Sequence, residues 1–324
     1  MGVGTTSDIR AGRGRWRVTD WSDHRGYGRL FAGDDLTFGV GFPLTDARES
    51  RPSVDEEMRL AAHAEAVGFD GLWARDVPLY WPRFGDAGQT YDTWPWLGHV
   101  AAHTDDIAIG TASVVLPLRH PIHVAKSAAT VDHLSDGRLV MGVATGDRDP
   151  EFPAFGVDID DRGERFRESV ELLRTVWRDE YPEVDGSWGE LDGELDVVPK
   201  PVEGTIPVLP TGFARQSVEW IADHGDGWFF YHLPESTLES YLDDWRAAAD
   251  GKPYAMAVRT ELAEDPAADP EHRHLGYRAG AEWFVEYFRG LDDLGVDHVL
   301  VSPTGGDDPE SELTRFAETV IERL

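Results

Sequence analysis

Eight short apolar runs, each followed by a helical pattern, divide the sequence from residue 36 to its C-terminal end. The predicted strands are Leu36–Phe42, Asp70–Ala74, Ile107–Leu116, Arg138–Ala144, Ile206–Pro210, Gly227–Tyr231, Tyr254–Thr260 and Asp297–Val301. Runs without polar alternation are typical of parallel strands that are covered on both faces. The pattern therefore predicts an α/β fold, a (β/α)8 TIM barrel with an eight-stranded parallel barrel and insertions. A doubly wound open sheet is the alternative that the pattern leaves open.

Three polar segments interrupt this repeat, at Asp147–Arg162, Ser187–Thr205 and Glu261–His274. Loops that follow barrel strands gather at the active-site face, so the first and third segments are predicted to be walls or lids. Residues 1–35 differ from the rest because they carry six arginines among four aromatic residues. We predict two parts, a basic N-terminal extension over 1–35, which docks on its own barrel or on a second subunit, and a barrel domain over 36–324.

The charge balance argues against a nucleic-acid partner. The chain carries 61 acidic and 30 basic side chains, a formal net charge of −31 at pH 7, whereas phosphate backbones require clustered Lys and Arg. The acidic residues are spread among ordinary apolar segments, which indicates a folded protein with an acidic surface. Adaptation to high salt is the interpretation that we favour, and an acidic mesophilic protein is the alternative.

Other features exclude whole classes of chemistry. The chain has no cysteine, so disulfides, thiolate nucleophiles and cysteine-based metal sites are excluded. No cluster of His, Asp and Glu has convincing metal-ligand spacing, so we predict no metal. Because the sequence has neither an apolar run of about 20 residues nor a hydrophobic signal core, we expect a cytoplasmic protein with no membrane partner.

Small residues and a strand-end glycine mark the segment from the third to the fourth predicted strand. The third strand carries Gly110, Thr111, Ala112 and Ser113, which would let a flat molecule approach the backbone. The fourth strand ends in Thr145-Gly146, a position that faces the active site in a barrel. Packing inside the barrel is the alternative explanation of the small residues.

A second segment runs from the fifth predicted strand into Thr211-Gly212, and the helix that follows is predicted to begin near Ala214. Backbone amides at a helix N-terminus bind anions, and Arg215 and Ser217 can add a charge and a further donor. The segment therefore predicts a seat for one phosphate group. The chain has neither a Walker loop nor a dinucleotide fingerprint, which favours a mononucleotide over NAD or ATP. An ordinary capped helix is the alternative.

Three motifs resemble the bacterial luciferase-like superfamily. The pattern GTASVVLP…HP…D.LS.GR…G…G is similar to its third-strand to fourth-strand region, and ARQSVEWIA…GW resembles its flavin-phosphate loop and following helix. The stretch HRGYGRLFAGDDLTFGVGFP, from His24 to Pro43, resembles the start of a subgroup of luciferase-type oxidoreductases of unassigned substrate. The similarity extends over most of Leu36–Leu324, and the combined motifs are highly specific.

The resemblance implies a coenzyme site. It implies a cis peptide bond at Ala112–Ser113 beneath a flavin ring, and it places Thr145 and Gly146 beside the flavin phosphate chain. The phosphate loop that it implies consists of Gly212, Phe213, Ala214, Arg215, Gln216 and Ser217. Since Thr145 replaces an arginine of luciferase, we expect either Arg162 or Arg165 to supply a cation.

The resemblance further implies an FMN-dependent enzyme. We predict a reduced-FMN-using monooxygenase that acts on an unidentified small organic substrate, as a homodimer, with a separate flavin reductase as partner. Arg75 lies where luciferase has a catalytic histidine, which argues against light emission from long aldehydes. Arg75 is predicted to hold an anionic substrate group or a peroxide, and Tyr231 to contact the ring or the substrate.

Three other functions stay open. An 8-hydroxy-5-deazaflavin coenzyme would need the same phosphate seat and would transfer a hydride without oxygen. A flavin-binding protein without turnover would show the same motifs. A hydrolase on the same barrel could use Asp76 and Asp147, which follow predicted strands, but it would leave the phosphate loop unexplained.

Overall fold

The computed structural model describes residues 21, 23–45, 51–84, 90–303 and 308–324, and over these ranges it has twelve strands and ten α-helices. The strands are β1 (Thr37–Gly41), β2 (Gly71–Ala74), β3 (Ala108–Val115), β4 (Leu139–Ala144), β5 (Glu183–Gly186), β6 (Gly189–Asp192), β7 (Val208–Pro210), β8 (Trp228–Tyr231), β9 (Tyr254–Leu262), β10 (Glu271–Arg273), β11 (Gly276–Ala279) and β12 (His298–Val301). The helices are α1 (Arg25–Phe31), α2 (Val54–Ala66), α3 (Thr93–Ala101), α4 (Pro121–Leu134), α5 (Glu151–Ala154), α6 (Arg162–Arg178), α7 (Val218–His224), α8 (Glu235–Ala249), α9 (Ala281–Asp293) and α10 (Pro309–Thr319).

Eight strands form one parallel ladder in the order β8, β9, β12, β1, β2, β3, β4 and β7. A parallel bridge between Thr211 and Phe229 joins the end of β7 to β8, and the Gly212 amide donates to the Phe229 carbonyl at 2.8 Å. The bridge brings the two ends of the ladder together, so the strands follow one another around a barrel. These are the eight strands that the apolar runs predict. The (β/α)8 prediction is therefore confirmed, and the open-sheet alternative is wrong.

The helices cover the barrel with apolar faces. Helix α9 shows why: its buried residues recur at the three- and four-residue spacing of one helix face, namely Ala281, Phe284, Val285, Phe288 and Leu291. Phe288 meets Phe38 of β1 with ring centroids 5.0 Å apart, and Phe38 also meets Phe316 of α10 at 6.1 Å. The main core therefore lies between the strands and the helices.

Helix α1 lies across the N-terminal ends of the strands. Its Tyr27 hydroxyl donates to the carbonyl of Asp226 at 2.8 Å, and its Arg29 pairs with Asp70 at 2.9 Å. Asp70 directly precedes β2, Asp226 lies two residues before β8, and Leu30 of α1 is buried against the barrel interior. This part of the basic N-terminal stretch thus docks on its own barrel and leaves the opposite end of the strands for a site.

Large side chains fill the barrel interior on the α1 side. Trp73 donates its indole N–H to Nε2 of His298 at 3.0 Å, so the neutral imidazole carries its proton on Nδ1, which lies 2.8 Å from the Thr37 hydroxyl. Burial lowers the pKa of His298 to about 3, which keeps this ring uncharged. A Cβ at Gly39 or Gly110 would lie 2.6 or 2.5 Å from Trp73, so both strands need glycine there.

The Gly137-Arg138 pair of the family motif has a structural role. Arg138 is 2% exposed, and its guanidinium donates five hydrogen bonds, two of them to Thr104. The other three acceptors are the carbonyls of Ala101, Ile107 and Ser135. Each N–H of the guanidinium is therefore satisfied, and the side chain ties β4 to the end of α3 and the start of β3.

Two antiparallel hairpins occur in or next to segments predicted as polar loops. β5 pairs with β6, and β10 pairs with β11, which also continues the sheet by pairing with β9. Arg273 and Arg278 each contact both Glu261 and Glu271 at 2.8 to 3.5 Å. These short strands are rich in charged residues, so hydrophobic alternation does not predict them.

Two further structural findings concern the part of the chain that the structure describes. Within it, no helix is both long enough and apolar enough to cross a membrane. Within the same residues, no three His, Asp or Glu side chains form a group that could hold a metal ion.

Candidate coenzyme site

Strand β3 forms the floor of a cleft at the carboxyl end of the barrel. The peptide bond between Ala112 and Ser113 is cis, as the resemblance implies, and the pairing of β3 with β4 shifts register between Thr111 and Val114. Thr111 donates its hydroxyl hydrogen to the carbonyl of Gly142 at 2.7 Å. A Cβ at Gly142 would lie 2.2 Å from the Thr111 carbonyl oxygen and 3.0 Å from Ser113 Oγ. The irregularity in β3 therefore depends on glycine in β4.

The Ser113 side chain is hydrogen-bonded to a residue that follows another barrel strand. Its hydroxyl is hydrogen-bonded to the hydroxyl of Thr211, which follows β7. This bond spans the floor from β3 to β7 and fixes the small residues on which a flat ring could lie. Thr211 was not among the predicted cofactor residues, although it follows its strand as Thr145 follows β4. Its position directly after a barrel strand is therefore enough to predict it as a site residue from the sequence.

The chain turns where β4 ends, at Thr145-Gly146. Thr145 is buried, and Gly146 has a φ of +83°, a value that favours glycine. A Cβ at Gly146 would lie 2.8 Å from Val115 Cγ1 and 3.2 Å from the ring of Phe152. Glycine therefore lets the chain pack closely on Val115 and Phe152 at this turn, which we call the wall of the cleft.

The helix after β7 begins later than predicted. It starts at Val218 rather than near Ala214, because Ser217 is the N-cap and its hydroxyl accepts a hydrogen bond from the Trp220 amide at 3.2 Å. Hydrogen bonds from its own backbone amide and from the Ser217 hydroxyl lower the pKa of Glu219. The Ser217 hydroxyl is therefore engaged as both acceptor and donor.

The loop before this helix has a left-handed backbone. Gly212, Ala214 and Arg215 have φ values of +60°, +46° and +58°. Such turns direct successive amide N–H groups to one side and form the concavities that bind anions. Residues with a side chain adopt this conformation rarely, and it tends to occur at functional sites. The candidate phosphate seat is thus the loop itself rather than the first turn of the helix.

Two side chains of the loop already have protein partners. The Gln216 side-chain amide donates to the Gly163 carbonyl at 2.9 Å, and its oxygen accepts from Arg167 at 2.7 Å. The ring of Phe213 packs on Trp228 with centroids 5.5 Å apart. These contacts hold the loop against α6 and β8. The Gln216 backbone amide also donates to the Phe213 carbonyl at 2.7 Å, so the side chain and the backbone N–H of Gln216 hold the loop together rather than face a ligand.

The two arginines proposed as phosphate cations lie in the first turn of α6. A Cβ at Gly163 would be 3.1 Å from Cβ of Arg215, so this turn packs directly against the loop. Arg162 donates to a carbonyl of the preceding segment, whereas Arg165 donates to the carbonyl of Pro117 at 3.4 Å. Pro117 follows β3, so Arg165 reaches the strand that forms the floor. Their part in anion binding stays a prediction.

Arg75, Tyr231 and Asp147 share the mouth of the cleft. Burial raises the pKa of Tyr231, the Asp147 carboxylate adds to that rise, and the Arg75 guanidinium opposes it. The Tyr231 side chain lies on the rim of the phosphate loop, since a Cβ at Gly212 would be 3.5 Å from its ring. The structure thus brings the two predicted catalytic residues together and adds a carboxylate.

Asp76, the other carboxylate considered for acid or base chemistry, has a structural role. Its side chain is 1% exposed, and Arg119 binds it through two contacts of 2.6 and 2.9 Å. The Val115 amide donates to the same carboxylate at 3.1 Å. Asp76 therefore fastens β2 to the end of β3. The hydrolase alternative loses one of its two carboxylates.

The cleft fits a flat ring that carries a phosphate group. Its floor is made by Ala112 and Ser113, its wall by Gly146, and its anion seat by the left-handed loop. Cβ atoms added at Gly146 or Gly142 would clash with the protein, so the close packing behind this surface depends on glycine. A (β/α)8 barrel with these features at the carboxyl ends of its strands belongs to the class of barrel proteins that bind a ligand at that face.

Comparison with known proteins identifies the family. The model of the family described as luciferase-like monooxygenase matches residues 36–268, which include the floor, the wall and the phosphate loop. The chain therefore belongs to the luciferase-like monooxygenase family. The resemblance read from the three motifs is confirmed.

Three relatives illustrate the range of this family and fold. An F420-dependent glucose-6-phosphate dehydrogenase from Beutenbergia cavernae is 36% identical over 277 residues, covering 78% of this chain and 80% of that protein. The structure of an F420-dependent secondary alcohol dehydrogenase with an F420-acetone adduct matches with a TM-score of 0.73 at 19% identity, covering 90% of this chain and 99% of that one. The oxygenating constituent of 3,6-diketocamphane monooxygenase from Pseudomonas putida, in complex with FMN, matches with a TM-score of 0.66 at 16% identity, covering 88% and 98%.

Proposed function

We propose that this protein is an oxidoreductase that uses the deazaflavin coenzyme F420 to exchange a hydride with a secondary alcohol or the corresponding ketone. The relative from Beutenbergia cavernae and the alcohol dehydrogenase of the same fold are both described as F420-dependent. They support the deazaflavin alternative better than the reduced-FMN monooxygenase that the sequence alone favours.

The observation that carries the proposal is a floor of small residues next to a loop of left-handed backbone. Ala112 and Ser113 have small side chains on which a ring could lie, and the hydrogen bond between Ser113 and Thr211 holds Ser113 in place. The left-handed backbone at Ala214 and Arg215 is of the kind that turns amide N–H groups toward an anion, which suits a phosphate. A coenzyme with a ring and a phosphate would thus be held at both ends, which orients its reactive face toward the mouth.

The residues at the mouth suit alcohol oxidation. When bound, the coenzyme supplies the hydride acceptor. A tyrosine hydroxyl carries its proton at neutral pH, and the raised pKa of Tyr231 strengthens this, so the hydroxyl donates a hydrogen bond to the substrate oxygen. The Asp147 carboxylate accepts the proton that leaves the substrate hydroxyl, and the Arg75 guanidinium stabilises the negative charge that develops there.

An FMN-dependent monooxygenase is the second candidate. The FMN-bound oxygenating constituent has the same fold, and FMN also combines a flat ring with one phosphate. This function would need oxygen and a separate flavin reductase as partner. A flavin-binding protein without turnover would use the same cleft.

One set of titrations separates these functions. The purified protein is titrated with F420 and with FMN while its tryptophan fluorescence is followed. We expect F420 to bind at least about tenfold more tightly than FMN, a difference of about 1.4 kcal/mol. Secondary alcohols should then bleach the F420 absorbance without oxygen. Tighter binding of FMN, with oxygen uptake when the flavin is supplied reduced, would overturn the proposal. Tight F420 binding with no reduction by any alcohol would favour the binding protein.

A further inference from the structure

The loops after β2 and β4 expose large apolar side chains next to the cleft. Leu79 is 41% exposed, Tyr80 59%, Phe84 39% and Phe155 42%, and we call these four residues the apolar rim. Trp81 stacks on Phe84 with centroids 5.8 Å apart, so these two aromatic rings form one surface. A cluster of exposed apolar side chains on a soluble domain typically marks an interaction site.

A groove of about 360 Å³ lies beside these two loops. Its apolar lining consists of Pro78, Trp94, Leu118, Val124 and Phe155. Pro78 belongs to the first loop and Phe155 to the second, so a ligand in the groove would touch both loops. Of the apolar rim, Phe155 lines the groove itself, and Leu79 and Tyr80 directly follow Pro78 in the chain. The volume is in the range of sites for small organic molecules.

The groove shares a wall with the cleft. Leu118, in the groove lining, packs with Val115 and Phe152. Val115 and Phe152 are the side chains that a Cβ at Gly146 would meet at 2.8 and 3.2 Å. One layer of apolar side chains therefore separates the groove from the cleft wall. A molecule that lies in the groove can extend over this layer to the mouth.

The charges in the groove do not favour an ionic ligand. Arg119, in its lining, is bound by the buried carboxylate of Asp76 at 2.6 Å and also approaches Asp92 at 3.4 Å. His120 and His123 are exposed to solvent at the edge of the groove. The net charge of −31 adds long-range repulsion against a polyanion. Since Ser127 and Asp92 also line the groove beside its apolar residues, the ligand that the lining suits is an uncharged molecule with a large apolar part.

We propose that the apolar rim and its groove bind the hydrophobic body of the substrate, which is an uncharged secondary alcohol or ketone rather than a sugar phosphate. The inference rests on the proposed function for its reaction and adds the substrate class. In the oxidation, the carbinol carbon gives a hydride, with two electrons, to F420, and the hydroxyl gives its proton to Asp147. The products are a ketone and the reduced coenzyme, and the reverse reaction uses the same groups.

Two substitutions in the rim test the proposal. Tyr80→Ser and Phe155→Ser should each raise the KM for 2-octanol about tenfold, with kcat unchanged, because each removes part of an apolar contact. The KM for 2-butanol, which is too short to reach the rim, should not change. Tyr181→Ser is the matched control, since Tyr181 is also 59% exposed but follows α6. Equal effects on both alcohols would overturn the proposal. A rise in the Kd for F420 in the rim variants would overturn it too, because the coenzyme would then occupy the groove.

A binding measurement gives a result that does not depend on turnover. Calorimetric titration of the protein with 2-octanone, without coenzyme, should show binding that both rim variants weaken about tenfold and that Tyr181→Ser preserves. If F420 neither binds nor turns over, the proposed function is wrong. The titration with 2-octanone then still shows whether the apolar rim binds an apolar ligand. Equal affinity in the wild type and all three variants would overturn the rim proposal while leaving F420 dependence intact.

Discussion

At the scale of single residues, the two carboxylates that follow β2 and β4 differ because their neighbours differ. Asp76 is buried and bound by Arg119, a partner 43 positions along the chain. Asp147 is exposed and lies close enough to Tyr231 to raise its pKa. A carboxylate that is already paired and desolvated stabilises the fold, whereas one at an open mouth can exchange a proton with a substrate.

Asp147→Asn tests this assignment. An amide of the same shape cannot take up the hydroxyl proton, so kcat for alcohol oxidation with F420 should fall by about a hundredfold. The Kd for F420 should stay unchanged, because the substituted side chain lies at the mouth and not at the floor. Steady-state kinetics and a fluorescence titration measure the two values. Asp149→Asn, two residues further along the same loop, is the control. Equal losses in both variants would contradict a specific role for Asp147.

Asp132 predicts a pH dependence of stability. This side chain is buried on α4, where the Val202 amide donates to it at 2.8 Å, and burial raises its pKa from 3.8 to about 6. The folded state therefore binds this proton more tightly than the unfolded state, and the stability contributed by this group falls as pH rises through this interval. The Asp132→Asn variant has no carboxyl group at this position, so this loss of stability with rising pH does not occur in it. The free energy of unfolding of the variant minus that of the wild type should thus increase by up to about 3 kcal/mol from about pH 4 to about pH 7.

Urea denaturation of both proteins at the two pH values measures this difference. Groups that titrate alike in the two proteins cancel in the subtraction, so any change with pH reports on Asp132. A difference that is the same at both pH values would show that the carboxyl has an ordinary affinity for its proton.

At the scale of elements, the floor of the cleft depends on the fit between β3 and β4. The carbonyl of Thr111 lies so close to Gly142 that a methyl group has no space. Gly142→Ala should therefore lower the free energy of unfolding by about 2–3 kcal/mol through overpacking. It should also weaken F420 binding, because Ser113 would move with β3. Chemical denaturation and a coenzyme titration measure the two effects.

Gly290→Ala is the matched control for this prediction. Gly290 lies inside α9, and nothing stands within 4 Å of the Cβ that it would gain. This substitution should raise the free energy of unfolding by about 0.5–1 kcal/mol, since alanine is the better helix former, and leave the Kd for F420 unchanged. A Gly142→Ala variant that is as stable and binds as well as Gly290→Ala would show that the floor tolerates a side chain.

The elements also show what the sequence can predict. All eight barrel strands follow from apolar runs, because a strand buried on both faces has no polar positions. The hairpins β5–β6 and β10–β11 do not, because their strands are rich in charged residues and one is stabilised by ion pairs such as Arg278–Glu261. The start of α7 was misplaced because the left-handed backbone at Ala214 and Arg215 has no glycine to signal it.

The sequence predicts which residues of the candidate site lie at the ends of barrel strands. It does not predict the direction in which the side chains of the phosphate loop point. The ends of parallel barrel strands meet at one face, so Arg75 and Tyr231 were expected to lie at the same mouth. The side chains of Phe213 and Gln216 turn toward β8 and α6, and the loop conformation that turns them is set by tertiary contacts. The cis bond at Ala112–Ser113 followed from the family resemblance and not from the residue types.

At the scale of the whole molecule, the two ends of the barrel differ. The N-terminal end is covered by α1, where Arg25 and Arg29 pair with acidic residues that precede the strands. The carboxyl end carries the cleft and the apolar rim. The acidic residues outnumber the basic ones by 61 to 30, so even complete pairing would leave 31 carboxylates without a cation of the chain. Repulsion among these carboxylates outweighs the exposed ion pairs, which are individually weak.

Salt should therefore stabilise the folded state. Two like charges about 10 Å apart repel by about 0.4 kcal/mol in water without salt and by about 0.15 kcal/mol when the Debye length is about 10 Å, so screening about ten such pairs from there is worth about 1.4 kcal/mol. The Debye length falls from about 10 Å at about 0.1 M salt to about 3 Å at about 1 M, which removes most of this repulsion. The urea midpoint of unfolding should rise between these two concentrations of sodium chloride. Sucrose at equal osmolality is the control, because excluded solutes stabilise proteins without screening charge, and the rise in salt should exceed the rise in sucrose. A midpoint that falls with salt would mean that ion pairs such as Arg29–Asp70 matter more than the excess of negative charge.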